Sequence, residues 1–286
     1  MTSLRVSGFG LGACALTLFC AADSARATTV TLTAIDAGFV TMAGGSAKGD
    51  GTVSPADYNY SVGREEHFID GALFSPLVYM DRKNYFVFDL SSVTGPITSA
   101  TLEVYMGPGV APPFPGGTHG YESLDATETF ELFETTDPGS ALTAIDALED
   151  IAGTVGSAGF DEVSDPGVTI GAGLYPVLGD GPLLLGGTIT SPADDGTSLI
   201  IPITPGGLGY LDLFAGSSLV LAGSLTTATD PSPSPDVDSQ LIFGFTGPDI
   251  PGGDPLTPTL EITFVPEPTS MVLLGLGGLL LMKRRR

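Results

Sequence analysis

The chain has 286 residues, of which 42% are hydrophobic and 15% charged, and its formal net charge is −23 at pH 7. The hydrophobic content excludes a disordered acidic tail, and the acidity excludes electrostatic binding of nucleic acid or of an anionic membrane surface. Both cysteines, Cys14 and Cys20, lie close to the N-terminus, so the rest of the chain offers no disulfide and no Cys-ligated metal.

Met1 to Arg5 is a short basic start, Val6 to Ala22 is apolar, and Ala25-Arg26-Ala27 fits the small-x-small pattern that signal peptidase reads. A signal peptide is therefore predicted over residues 1–27, cut after Ala27, with the remainder exported. Phe19 is too bulky for the small residue that a lipoprotein signal would need before Cys20. Of the ten Lys and Arg residues, only Lys48, Arg64, Arg82 and Lys83 lie between Thr28 and Pro268. Of the 33 acids only Asp23 lies outside that span, so 32 acids face four cations, a net of −28. About 240 residues can bury one substantial core, and a single sandwich or barrel fits that length.

Thr29 to Ile35 alternates Val30, Leu32 and Ala34 against threonines, the period of a half-buried strand. From Asp36 to Val62, Gly44-Gly45, Gly49-Asp50-Gly51 and Ser54-Pro55 predict a long loop, left by a short strand at Tyr58 to Val62 with Glu65 to Ile69 beside it. Next come Asn84 to Leu90, with Phe86, Phe88 and Leu90 on one face, and Ile97 to Tyr105, where Leu102, Val104 and Met106 share a face. These two are expected to form an antiparallel pair. The run Phe86-Val87-Phe88-Asp89-Leu90-Ser91, followed by Ile97-Thr98-Ser99-Ala100-Thr101-Leu102-Glu103-Val104-Tyr105, resembles jelly-roll modules of bacterial surface proteins and some carbohydrate-binding modules. That resemblance implies a fold and leaves activity open.

Gly107 to Gly120 is a Gly/Pro loop, Glu128 to Thr135 a strand, and Ala141 to Ile151 a short amphipathic helix on the sheet. After a further loop from Asp161 to Gly181, Leu183 to Thr190 and Thr197 to Ile203 are expected to pair, and Pro205 opens a second short helix. Ser217 to Thr226, Ser239 to Phe245 and Thr259 to Phe264 complete the strands, with the Pro/Ser run 229–235 as an exposed connection. Short strands, one or two short helices and no βαβ alternation predict an all-β, antiparallel, jelly-roll-like β-sandwich over residues 28–265.

Catalytic signals are missing from this pattern. His67 and His119 are the two histidines, neither in a nucleophile context, and no Gly-x-Ser-x-Gly occurs. The absence of tryptophan weakens a polysaccharide hydrolase or a stacking type of sugar-binding module. Asp36, Asp50 and Asp57 concentrate oxygen ligands in the first long loop and are the candidate for a structural calcium; solvated turn aspartates are the plainer reading. Arg64, Arg82 and Lys83 hold three of the four cations of the body and are read as a charged sheet edge, with an anion site as the sharper alternative.

The chain closes on Val265-Pro266-Glu267-Pro268, an apolar run over residues 269–282, and the basic end Lys283-Arg284-Arg285-Arg286. Two prolines delay the helix, and the basic end places the C-terminus in the cytoplasm. At 1.5 Å per residue the run spans roughly 21 Å against a hydrocarbon core of ~30 Å, a poor permanent anchor. Pro266, Glu267, Pro268 and the four terminal cations resemble the PEP-CTERM sorting tail of Gram-negative bacteria, here residues 266–286. The resemblance implies transient anchoring in the inner membrane and recognition by an exosortase, a cysteine transpeptidase-like enzyme, which would cut near Pro-Glu-Pro. The expectation is thus an exported, non-enzymatic surface or matrix protein without a cofactor, unless a structural calcium is bound. Its partners are signal peptidase, exosortase and an extracellular polysaccharide, with nucleic acid excluded. A carbohydrate-binding or carbohydrate-active module is the alternative and an ice-binding protein a lesser one, for which the Thr-x-Thr pairs look too few.

Overall fold

The alternation read along the chain becomes two antiparallel sheets packed face to face. The computed structural model describes residues 26–41, 46–48, 58–68, 77–107, 120–123, 125–152, 172–179, 181–228, 240–243, 245–246 and 257–266. Its elements are β1 (Thr28–Thr33), β2 (Asp36–Thr41), β3 (Ser46–Lys48), β4 (Tyr58–Asn59), β5 (Val62–Phe68), β6 (Leu77–Asp89), β7 (Ile97–Tyr105) and β8 (Glu128–Phe133). Then follow α1 (Pro138–Ala152), β9 (Leu184–Thr190), β10 (Ser198–Pro202), α2 (Pro205–Asp212), β11 (Ser218–Leu225), β12 (Gln240–Ile242), β13 (Phe245–Thr246) and β14 (Thr259–Phe264).

The smaller sheet runs β1-β14-β7-β10 and the larger β12-β5-β6-β11-β8-β9, with β2 added beside β6 and β3 beside β2, while β4 and β13 form a separate two-stranded sheet. Take β1, β6, β7, β8, β9, β10, β11 and β14 as first to eighth. The two sheets then read 1-8-3-6 and 2-7-4-5, the jelly-roll order. Arg82 pairs with Thr41 on one side and Gly63 on the other, while Asn84 pairs with Phe39 and Gly223. So β5 and β11 follow one another along the same edge of β6, and the larger sheet forks beside Lys83.

Between the sheets lies the main core, with Phe86, Phe88, Phe130, Leu132, Leu219 and Leu221 from the larger sheet meeting Leu102, Val104, Ile201, Leu260, Ile262 and Phe264 from the smaller. The outer face of the larger sheet is covered around β6 and β11. Tyr85, Val87, Val220 and Ala222 meet Ala141, Ile145 and Leu148 of α1 and Leu174 and Leu178 of segment 172–179. Asp137 starts α1: its carboxylate accepts from the Ser140 backbone N–H at 3.1 Å and the Ser140 hydroxyl at 2.6 Å, which holds it below the usual carboxylate range. Thr204 caps α2 by accepting from Gly207 N at 3.0 Å.

Several expectations change, among them the strand at Tyr58 to Val62 with Glu65 to Ile69 beside it: Val62 instead opens β5, which runs on to Phe68 as one strand. β6 and β7 show their aromatic and aliphatic faces to one core, yet they lie in different sheets and face each other across it. Likewise β9 pairs with β8 and β10 with β7, so β9 and β10 share no ladder, only an isolated bridge between Gly186 and Ile203. Alternation assigns a face; it does not say whether the link to the next strand turns back or crosses the core. The loop expected from Asp36 instead opens with β2, because Ala37 and Val40 each fill one of the two cores.

Candidate functional site

The smaller sheet carries the end of the fold. Leu260, Ile262 and Phe264 of β14 point inward at 0, 0 and 3% exposure, and Phe264 pairs with Thr28 on one side and Ile97 on the other. One residue further, Val265 N donates to Pro96 O at 3.0 Å. A Cβ on Gly95 would stand 2.0 Å from the Val265 carbonyl oxygen, so only glycine allows this approach. The same corner is tied to the rest of the body: Ile97 N donates to Asp212 Oδ1 at 2.7 Å, and Gly216 N to Leu90 O at 3.0 Å. Pro266 is the last described residue, and the chain enters the corner at Thr28, so entry and exit lie on adjacent strands. Ala27 is exposed beside Thr28. Ala25, Glu267, Pro268, Lys283, Arg284, Arg285 and Arg286 lie outside the described residues, as does the predicted helix 269–282.

The outward face of this sheet is open and rich in hydroxyls. Thr29 stands beside Thr263 and Ser99; Thr31 beside Glu261 and Thr101; Thr33 beside Thr259 and Glu103. Strands about 4.8 Å apart and same-face residues about 6.7 Å apart along each make this a regular array. The Thr29 and Thr263 hydroxyls are already hydrogen-bonded at 2.9 Å. Pro202 and Ile200 of β10 continue the face, Ile200 being 57% exposed. Separations of 234 residues, as between Thr29 and Thr263, hid this face from a reading along the chain. The available signal was that β1 and β14 both alternate Thr or Glu with apolar residues.

At the opposite end a carboxylate is sunk into the body. Glu128 is fully buried; Ser123 donates to its Oε1 at 2.6 Å and the Thr227 hydroxyl to its Oε2. Nearby, Gln240 donates to Asp125 at 3.1 Å, and Tyr121 N to Asp195 Oδ1 at 2.6 Å. Burial raises the Asp195 carboxyl above its ordinary range, opposed by that backbone bond and aided by Asp194. These bonds bind strand ends and links together.

The cations do not guard an edge. Arg82 and Lys83 lie in β6, an interior strand, at 7% and 4% exposure, so the sheet-edge expectation is corrected. Arg82 faces inward, donating to Ser61 Oγ at 2.7 Å with its guanidinium 4.3 Å from the Phe39 ring centre. Burial lowers its pKa to about 10, against the opposing pull of Glu122. Lys83 faces outward, its Nζ 4.3 Å from the Tyr175 ring and 3.4 Å from the Tyr175 carbonyl. Arg64 grips Asp81 at 2.6 and 3.2 Å. Together they line a cleft of ≈190 Å³ at the fork of the larger sheet. Their contacts clip β5, β2 and segment 172–179 onto β6.

Of the three calcium candidates, Asp36 alone lies among the described residues. Asp36 opens β2 with a buried side chain, while Asp50 and Asp57 lie outside those residues. No three His, Cys, Asp or Glu side chains among the described residues converge to hold a metal ion. His67 stands in β5 opposite Val78, and His119 lies outside the described residues.

Residues 264–286 match the family described as the PEP-CTERM protein-sorting motif. No curated protein matches the chain significantly. The motif marks an exported protein sorted through an exosortase, with the cell surface or the extracellular space as its destination. Among the described residues no helix is long and apolar enough to cross a membrane. The match begins at Phe264, so motif and core strand overlap with no linker between them.

Proposed function

We propose that the body acts without bond making, as a structural or adhesive module of the cell surface or of the extracellular polymer matrix, held by the inner membrane only until the tail is cut. The observation that supports this most is the contrast between the two sheets. The larger is covered on its inner face and, around β6 and β11, on its outer face too, whereas the smaller leaves a hydroxyl-lined face open beside the exit strand. Rows of threonine with few charges suit a neutral polyhydroxylated chain, whose hydroxyls replace water at little desolvation cost. A net charge of −28 on the body disfavours acidic polymers and nucleic acid. No cofactor enters this reading.

A glycan array and a hydrolysis screen on the exported protein test it. Binding to neutral polysaccharide without turnover is expected, and Thr31→Glu with Thr101→Glu should weaken it about tenfold, roughly 1.4 kcal/mol. Turnover of any polysaccharide would establish the carbohydrate-active alternative instead. The array of Thr29, Thr31, Thr33, Thr259 and Thr263 is also more regular than the scattered pairs in the sequence suggest, which favours an ice-binding reading as a second possibility. Glu261 and Glu103 interrupt the rows, so that reading stands second. Thermal hysteresis at micromolar protein would bring it forward.

A further inference from the structure

The corner at Gly95 assigns an upstream limit to processing: we infer that the bond cut in sorting lies on the C-terminal side of Pro266, and that the folded body itself sets this limit. The inference rests on reading residues 264–286 as an exosortase substrate. A peptide-cleaving enzyme takes its substrate as an extended strand whose backbone N–H and C=O groups face the enzyme's own cleft. Phe264 is closed to such capture, because its backbone lies inside the sheet between Thr28 and Ile97 and its ring is buried in the core. Val265 is held by its N–H on Pro96 and by its carbonyl lying against Gly95, with Pro266 Cα 3.1 Å from the place of a Gly95 Cβ. Pro266 has no N–H to donate, so the pairing ends there and the substrate begins. Unpairing Phe264 or Val265 would open an interior strand between β1 and β7.

In the reaction the C–N bond after Pro266 or a later residue breaks. The amine leaves with the tail and takes a proton, and the acyl carbon of the body passes to water as a carboxylate or to an acceptor amine as a new amide. Gly95 has no part in that chemistry; it positions the end of the fold.

The test uses the full-length chain produced in a host that has an exosortase, with intact mass and C-terminal peptide mapping of the released body. A last residue at Pro266 or beyond is expected, and a last residue at Val265 or earlier overturns the limit. An exported protein that keeps its whole tail would instead overturn the sorting reading, and the inference with it. In Gly95→Ala the added methyl displaces Val265, and a ragged terminus reaching upstream of Pro266 is expected. An unchanged terminus in a folded Gly95→Ala protein contradicts the role given to the corner. Should that variant fail to fold, proteinase K trimming of the wild-type body replaces it: digestion halting at Pro266 or beyond agrees, and loss of Val265 and Phe264 overturns the proposal.

Discussion

Arg82 shows how a charge enters this interior. It is desolvated, as its lowered pKa records, and it is retained through Ser61, the Phe39 face and the field of Glu122. Arg82→Ala removes the cation from a site built around it, and unfolding in urea should show a loss of about 3 kcal/mol. Glu128→Ala strands the hydroxyls of Ser123 and Thr227 and should cost roughly 2 kcal/mol by the same measurement. Tyr210 contributes to the alkaline pH dependence. Burial raises its phenol above 10.0, with its bonds to Thr135 opposing. The folded state therefore prefers the neutral phenol: stability holds below pH 10.0 and falls as pH rises from there through the higher folded value. Tyr210→Phe should lessen that alkaline fall, while at neutral pH its effect is the loss of the two bonds to Thr135. Denaturant midpoints between pH 8 and pH 11 would show it.

Among the elements, the two helices and most strand faces were legible because amphipathic period and inward alternation are local properties. Phe86 and Phe88, or Leu260 and Ile262, declare a buried face within a few residues. Pairing was not legible, because Ser91 to Pro96 turns β7 across the core to the other sheet rather than back beside β6. Charge misled at Asp81-Arg82-Lys83, which extends β6 well before Asn84, since nothing local shows that those heads are paired or stacked. The exit corner was half legible: Pro266-Glu267-Pro268 stands out, while Gly95 gains meaning only when Val265 is seen against it. Thr204 tests the local part. Thr204→Ala loses the cap of α2 and a 3.0 Å bond to Leu184 O, and should lower stability by about 1 kcal/mol.

As a whole the molecule is a jelly-roll sandwich with one face sheathed by α1, one face open, and a sorting motif that starts inside its last strand. Entry at Thr28 and exit at Pro266 on neighbouring strands bring both ends of the body to one corner. The hydroxyl face runs up to that corner, since Thr29 and Thr263 belong to its first row. Export, folding and tail processing are thus linked through β14. Its completion closes the smaller sheet and at the same residue ends what the processing enzyme can grasp. Hydrogen exchange on the exported protein, resolved to single amides, tests this most directly. The amides of Ile262 and Phe264, and that of Val265 through its bond to Pro96, should be protected with the core; exchange of Phe264 and Val265 at the rate of an open chain would contradict the account.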